Sequence, residues 1–273
     1  MSLSARSQLL AIAALMKEEA AARGIRNYTP KLRPSEFGYT MAIPSAATEG
    51  WASIHAALVA QALLHMRSGE LASYVEKAFY FAADDGCCAE ENTFFGLWRP
   101  CQLRTGDDAL APYTQPQHLP QTMPLPAAAA YATAAAMVDL ASGRHAGSIV
   151  IDNTAVGGYA ELHGGKLPPT CIAFAADSAD TSVLAMFILG HHFNDRTDAT
   201  LQVPTSSSGL AGVSGVEEQL LLTNGLGTRL PVNATAEAAA AAITLRLSIA
   251  SLPQYLTLPS TVDAAAVCST LKW

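Results

Sequence analysis

Residues 233–252 read NATAEAAAAAITLRLSIASL, and the class of the fold turns on this stretch. Its first half, Ala236–Ala242, is almost all alanine, the residue with the highest helix propensity. Its second half sets Ile243, Leu245, Leu247 and Ile249 against Thr244, Arg246 and Ser248, which is the period of a strand. No glycine or proline separates the halves, so the reading favoured here carries the helix through the whole segment.

Upstream patterns point the same way. Leu9, Ile12, Ala13, Met16 and Ala20 share one helical face, which predicts an amphipathic N-terminal helix. A second helix is expected over about 47–67, with Trp51, Ile54, His55, Leu58 and Gln61 near one face. Ser68 is placed to cap a third, carrying Leu71, Tyr74, Val75, Ala78 and Phe79. Ala127–Leu140 reads as an alanine-rich helix, Asp180 as the cap of a buried one through Val183, Met186, Phe187 and Leu189, and Glu217–Leu222 as a short one. The β candidates are Ser148–Ile151 and a segment within Lys166–Ala176, a short hairpin.

The expected fold is therefore mainly α: a helical core with long Pro/Gly/Ser-rich loops, extended N- and C-terminal arms, and a short β-hairpin near 148–176. The chain divides into three parts. Residues 1–35 form a basic helix and arm, with Gly24–Pro34 extended because Pro30 and Pro34 bias their neighbours away from helix. Residues 36–250 form the core, with a proline-rich loop near 114–126. Residues 251–273 form a tail with Pro253, Pro259, a short helix and Trp273, able to pack on a neighbouring subunit.

Composition limits the function. Charged residues are 14% of the 273, below the ~25% of an ordinary soluble domain. A hydrophobic fraction of 50% excludes a fully disordered chain, and 19 glycines without a three-residue period exclude collagen. The five cysteines, Cys87, Cys88, Cys101, Cys171 and Cys268, are odd in number and lack CxxC spacing, which predicts free thiols in a reducing compartment. The uncharged stretch Ala111–Val138 is too rich in proline and alanine to insert in a membrane, so no membrane partner is expected.

The net charge of −7 is unevenly spread. Residues 1–35 hold Arg6, Lys17, Arg23, Arg26, Lys31 and Arg33 against Glu18 and Glu19, a surplus of four positive charges; the rest carries a deficit of eleven. Lysine and arginine bind phosphate without sequence readout, and Tyr28 offers a stacking face. These seven residues, Arg6, Lys17, Arg23, Arg26, Tyr28, Lys31 and Arg33, are the candidate nucleic-acid contacts.

Other clusters carry less. His191-His192-Phe193-Asn194-Asp195 pairs a general-base type with a carboxylate, and Ser206–Ser208 could serve as nucleophiles, which supports a small hydrolase or transferase as the alternative function. There is no GxSxG elbow, and adjacent histidines do not form a HExxH metal pair. Gly157–Lys166 lacks both the first glycine and the magnesium-binding hydroxyl of a phosphate loop. Cys87 and Cys88 are vicinal and cannot easily face one metal with Cys101 and His118; Asp84, Asp85, Glu90 and Glu91 read as solvated surface. No metal, no cofactor and no catalytic residue is assigned, and the chain is expected not to be an enzyme.

The segments AAAAYATAAAM (127–137), TAEAAAAA (235–242), QPQHLPQTMPLP (115–126) and PTSSSG (204–209) are dispersed along the whole chain. In composition and size the chain resembles the proline-alanine-serine-rich proteins of polymycoviruses, the fungal double-stranded RNA viruses (mycoviruses). The resemblance implies a structural protein that coats or associates with genomic RNA, in the virion or the host cytoplasm. A flexuous filamentous-virus coat protein is a related architecture. The expectation is a homo-oligomer that binds RNA through its basic arm; a scaffold whose arm binds an acidic subunit patch is the third reading.

Overall fold

The computed structural model describes residues 3–34, 41–42, 51–78, 80, 93–94, 97–100, 122–124, 126–141, 145–149, 168–175, 180–188, 195–204, 220–237 and 242–273. In chain order these form α1 (Leu3–Ala22), β1 (Met41–Ala42), α2 (Trp51–Met66), α3 (Leu71–Tyr74), β2 (Thr93–Phe94), β3 (Trp98–Pro100), β4 (Thr122–Pro124) and α4 (Pro126–Leu140). Next come β5 (His145–Ile149), β6 (Pro169–Phe174), β7 (Thr181–Ile188), β8 (Arg196–Pro204), β9 (Leu221–Asn224), β10 (Arg229–Leu230), β11 (Ala234–Glu237), β12 (Ala242–Ala250), β13 (Gln254–Pro259) and α5 (Ala264–Ser269).

The chain is not mainly α. Strand and helix hold similar shares, and two antiparallel sheets carry the core. One sheet has six strands in the order β10-β9-β13-β7-β6-β5, the other three in the order β11-β12-β8. β1 with β2 and β3 with β4 form two further short pairs.

The stretch 233–252 shows why. β11 and β12 pair antiparallel, with Ala234 opposite Leu245, and residues 238–241 between them are outside the described residues. Ile243, Leu245, Leu247 and Ile249 are all buried, while Arg246 and Ser248 are exposed. In a helix, residues two apart are turned by about 200°, so the four apolar side chains would split between opposite sides. A strand buries all four on one side. Each buried Leu or Ile contributes roughly 1.5–3 kcal/mol, whereas helix propensity differs by at most ~0.7 kcal/mol between ordinary residues. Burial wins.

β7 corrects the helix expected after Asp180. Ser182, Leu184, Met186 and Ile188 face the small sheet, and Val183, Ala185 and Phe187 face the helices, all buried. A strand covered on both faces reads as a continuous apolar run without a period of two. Glu217–Leu222 is corrected likewise: Leu221 opens β9, and 217–219 are outside the described residues. The expected hairpin near 148–176 is present as β5 paired with β6, Ile149 opposite Cys171.

The tail is no arm. β13 lies between β9 and β7, with Leu256 opposite both Leu222 and Leu184. Beyond it lies α5, capped by Asp263, whose carboxylate accepts from Ala266 N–H at 3.0 Å. Its Val267 and Cys268 are buried in the core between the sheets, and Cys268 is joined to Cys171 of β6 by a disulfide. For this pair the free-thiol expectation is wrong; Cys87, Cys88 and Cys101 lie outside the described residues.

The opposite face of the large sheet packs on α2 and α4. Ala56, Ala60 and Leu64 meet Ala130, Ala134 and Val138 over Ile172, Phe174, Phe187 and Tyr255. Gln61 is buried among them and donates to the carbonyls of Ile188 and Ser251 at 3.2 and 2.6 Å, tying α2 to the ends of β7 and β12. A second helical layer lies outside these: Ala13 of α1 clusters with Ala62, Met66, Leu71, Tyr74 and Val75, and Ala20 is also buried. The helix expected after Ser68 is a single turn, and the Ser68 hydroxyl donates to the His65 carbonyl at 3.1 Å instead of capping it.

Two measurements check this arrangement. Leu245→Ala should lower unfolding free energy by about 2–5 kcal/mol and the exposed Arg246→Ala by no more than ~0.5 kcal/mol, read by denaturant unfolding. Equal effects would reject the strand register. Reducing the disulfide, whose partners are 97 residues apart, should cost roughly 2–5 kcal/mol, read as a drop in thermal midpoint.

Candidate nucleic-acid interface

The seven basic-arm candidates are fixed to the body. α1 ends at a glycine turn: Ile25 N–H donates to Ala20 O and Gly24 N–H to Ala21 O, both at 2.9 Å, with Gly24 at φ +74°. This pair of bonds satisfies the last carbonyls of the helix and needs a left-handed residue at its end. Asn27, at φ +58°, completes the reversal. The chain then runs back extended, and Leu32 pairs with Val75 in a parallel bridge: Leu32 N–H donates to Tyr74 O at 2.7 Å and Glu76 N–H to Leu32 O at 3.0 Å. The extended reading of 24–34 holds only from Tyr28 onward, and the segment is no free arm.

The side chain of Arg6 is outside the described ones; the other six have a defined place. Arg6 lies in the second turn of α1. The Lys17 ammonium donates to the Tyr74 hydroxyl and lies 4.6 Å from the centre of that ring; the hydrogen bond raises its pKa above the usual lysine value. Arg23 pairs with Glu19 one turn earlier at 2.7 Å. Arg26 and Tyr28 are exposed at the reversal, with no hydrogen bond or ion pair to either among the described residues. The Lys31 ammonium donates to Ser73 O at 3.4 Å. Arg33 donates to Glu76 at 2.6 Å, which raises the guanidinium pKa and lowers that of the carboxyl.

The pairing of Leu32 with Val75 brings in what local reading missed. Arg67 and Lys77 flank α3; Lys77 lies near Glu76 together with Lys31, and Glu70 lies near Lys17. Residues 3–34 and 67–78 together contain eight cationic and four acidic residues. Nothing near Lys31 in sequence signals Lys77, because the connection is one non-local backbone pairing. The ion pairs are exposed, and such pairs contribute only about 0–1 kcal/mol. Phosphate can therefore replace a carboxylate at little cost.

The remaining candidates do not form a site that can be built. His191, His192, Phe193 and Asn194 lie outside the described residues, and Asp195 stands just before β8. Ser206–Ser208, Gly157–Lys166, Asp84, Asp85, Glu90, Glu91, Cys87, Cys88, Cys101 and His118 are also outside them. Among the described residues no cluster of three or more metal-ligand types occurs, and no helix is long and apolar enough to cross a membrane.

One titratable pair is not foreseen by the sequence reading. His55, on α2, is buried, and its Nε2 shares a 2.8 Å hydrogen bond with the Tyr80 hydroxyl. Burial pushes its pKa down to about 4, so it is neutral at pH 7. The Tyr80 ring in turn lies 6.2 Å from that of Tyr131 on α4. The pair joins the two helices rather than presenting a base to solvent.

No protein-family model, curated protein or solved structure matches this chain.

Because His55 is charged in the unfolded chain below pH ~6.5 but neutral in the fold until about 4, its contribution is whole above 6.5 and is lost as pH falls to 4. The loss should be on the order of 3 kcal/mol, and His55→Gln should flatten that part of the stability–pH curve. Identical curves for the two proteins would reject the assignment. At the end of α1, Gly24→Ala should cost about 1–2 kcal/mol from backbone conformation alone, since an added Cβ would meet nothing within 4 Å. Gly24→Asn should cost less, both being read by denaturant unfolding.

Proposed function

We propose that this protein is a non-enzymatic viral structural subunit that self-associates and carries RNA on the basic strip of α1, residues 25–34 and α3. The observation that supports the reading most is the surplus of cations held on a fixed backbone: Lys31 and Arg33 alternate along an extended chain docked to Val75, with Arg26 and Tyr28 exposed just before them. Cations already held in place lose little freedom when a phosphate arrives, and such contacts position a backbone without reading bases. The carboxylates of Glu19, Glu70 and Glu76 within the strip limit the affinity and make it sensitive to salt. The compositional likeness to polymycovirus structural proteins supports an RNA partner, a virion or host-cytoplasm setting and a mycovirus source.

Self-association is supported by the open sheets. Among the described residues they end in β10 and β5, and in β11 and β8, the last partly covered by a bridge to Lys272, and antiparallel edges are surfaces through which chains pair. The hydrolase or transferase alternative draws no support here, since four of the five residues from His191 to Asp195 lie outside the described residues.

Deleting 1–35 is a poor test, because it removes Ala13, Ala20 and Leu32 from buried positions. The better variant combines Arg23→Ala, Arg26→Ala and Lys31→Ala, all exposed. In a salt series on duplex RNA its log–log slope should be shallower by about 0.9 per lost contact, roughly 2.7 in total. A slope and affinity equal to those of the parent protein would sink the RNA role.

A further inference from the structure

The outer edge of β8 is covered by the chain's own C-terminal segment. β8 is the last strand of the three-stranded sheet, with β12 on its inner side. On the other side Thr200 and Lys272 exchange both backbone bonds: Thr200 N–H donates to Lys272 O at 2.7 Å, and Lys272 N–H to Thr200 O at 2.9 Å. Two residues along, Gln202 N–H donates to the Thr270 hydroxyl at 2.9 Å, and that hydroxyl is shared between the carbonyls of Gln202 and Val267 at 3.2 and 2.7 Å. The hydrogen-bonded cover thus includes a single bridge and one side-chain rung, with Leu271 between them packed against the core. Immediately before it stands α5, which is tied to β6 by the disulfide at Cys268, two residues ahead of Thr270.

We propose that Thr270–Lys272 is a removable cover on the β8 edge, held shut by the Cys171–Cys268 disulfide, and that reduction opens this edge to the same segment of a second copy. The proposal rests on the self-association reading and supplies its surface. The occupant is set by fit: the edge already matches this segment, with Lys272 on Thr200 and Thr270 on Gln202. A second copy brings an identical segment, so exchange replaces each contact by its equal, as in domain swapping. Reciprocal exchange closes a two-fold dimer, and one-way exchange propagates an open chain.

The redox step is ordinary thiol exchange. A thiolate reductant attacks one sulfur, the sulfur–sulfur bond breaks, and a mixed disulfide forms; a second reductant thiol releases it. Two thiol molecules leave as one disulfide, and Cys171 and Cys268 each gain a proton and one of the two electrons. Both sulfurs are buried, so the attack needs α5 to lift, with Ser260–Asp263 as the joint to β13. In a reducing cytoplasm the thiol form is the resident one, which places assembly where the RNA would be.

The test measures amide exchange at Thr200 and Gln202 in the full chain, together with light scattering over a concentration series. Oxidised protein, protein with excess dithiothreitol, and the Cys171→Ala/Cys268→Ala variant are compared. Reduction should speed exchange at these two amides by about tenfold or more beyond the change at Leu245, in the sheet interior, whose exchange reports the global stability lost with the disulfide; that excess separates local opening from unfolding. Larger species should then grow with concentration in the reduced protein and in the alanine variant, and protection at 200 and 202 should return as they form. Lys272→Pro, which lacks the N–H that Thr200 accepts, should open the edge with the disulfide intact. Equal protection in oxidised and reduced protein overturns the gate. Opening without association at any concentration overturns the second-copy occupant and, with it, the self-association reading. Association that is the same in oxidised, reduced and Lys272→Pro protein leaves self-association standing and overturns this edge as its route.

Discussion

The large sheet has an apolar face on each side, and neither can be left in water. β7 and β13 sit at its centre, with Leu184, Met186, Ile188, Leu256 and Leu258 on one side and Val183, Ala185, Phe187 and Tyr255 on the other. At about 25 cal/mol per Å² of apolar area, exposing either side would outweigh the net stability of an ordinary domain. One side therefore requires the small sheet and α5; the other requires α2 and α4. The rest of the architecture answers these two demands. α1 and the segment through Leu32 are an outer layer that covers the side of α2 left open, at Ala62 and Met66.

This constraint also explains which parts of the fold are legible in the sequence. α1 and α4 each have one face buried and one open, so their apolar residues recur at helical spacing and can be read, while α2 is covered on both sides and is read from Trp51, Ile54, His55, Leu58 and Gln61. β7 has no open face, so its strand period vanishes and it resembles a buried helix. β12 keeps its alternation, visible in Ile243 through Ile249, but the adjoining alanines invite more weight than burial warrants. β13 is bounded by Pro253 and Pro259, which suggest a tail when read locally. In the fold those prolines mark the two ends of a strand, a position proline tolerates.

The basic strip is legible in composition and not in form. Six cations in the first 35 residues are visible, but their attachment is not, because it depends on Leu32 meeting Val75 across more than forty residues. That attachment changes the physics of the strip. A free arm gains affinity through long reach and gives up freedom on binding; a docked strip gives up little but has carboxylates built in beside its cations. Arg33 with Glu76 and Arg23 with Glu19 are therefore competitors of a phosphate as well as anchors, and a strip of this kind favours contact that is easily reversed.

The disulfide is where local and global demands meet. Cys171 belongs to β6 in the large sheet, and Cys268 to a six-residue helix too short to be stable alone. α5 persists because Asp263 caps it, Val262, Ala264 and Val267 are buried under it, and the sulfur bridge fixes it. A helix held this way transmits the state of one bond to the residues on its C-terminal side. Those residues are the short segment lying along β8, the strand that closes the three-stranded sheet. The cover of an edge and the chemistry of a buried bond are thus joined through the two residues from Cys268 to Thr270. An edge strand is the part of a sheet that most readily recruits another chain, so the proposed exchange would need the least structural change at this joint.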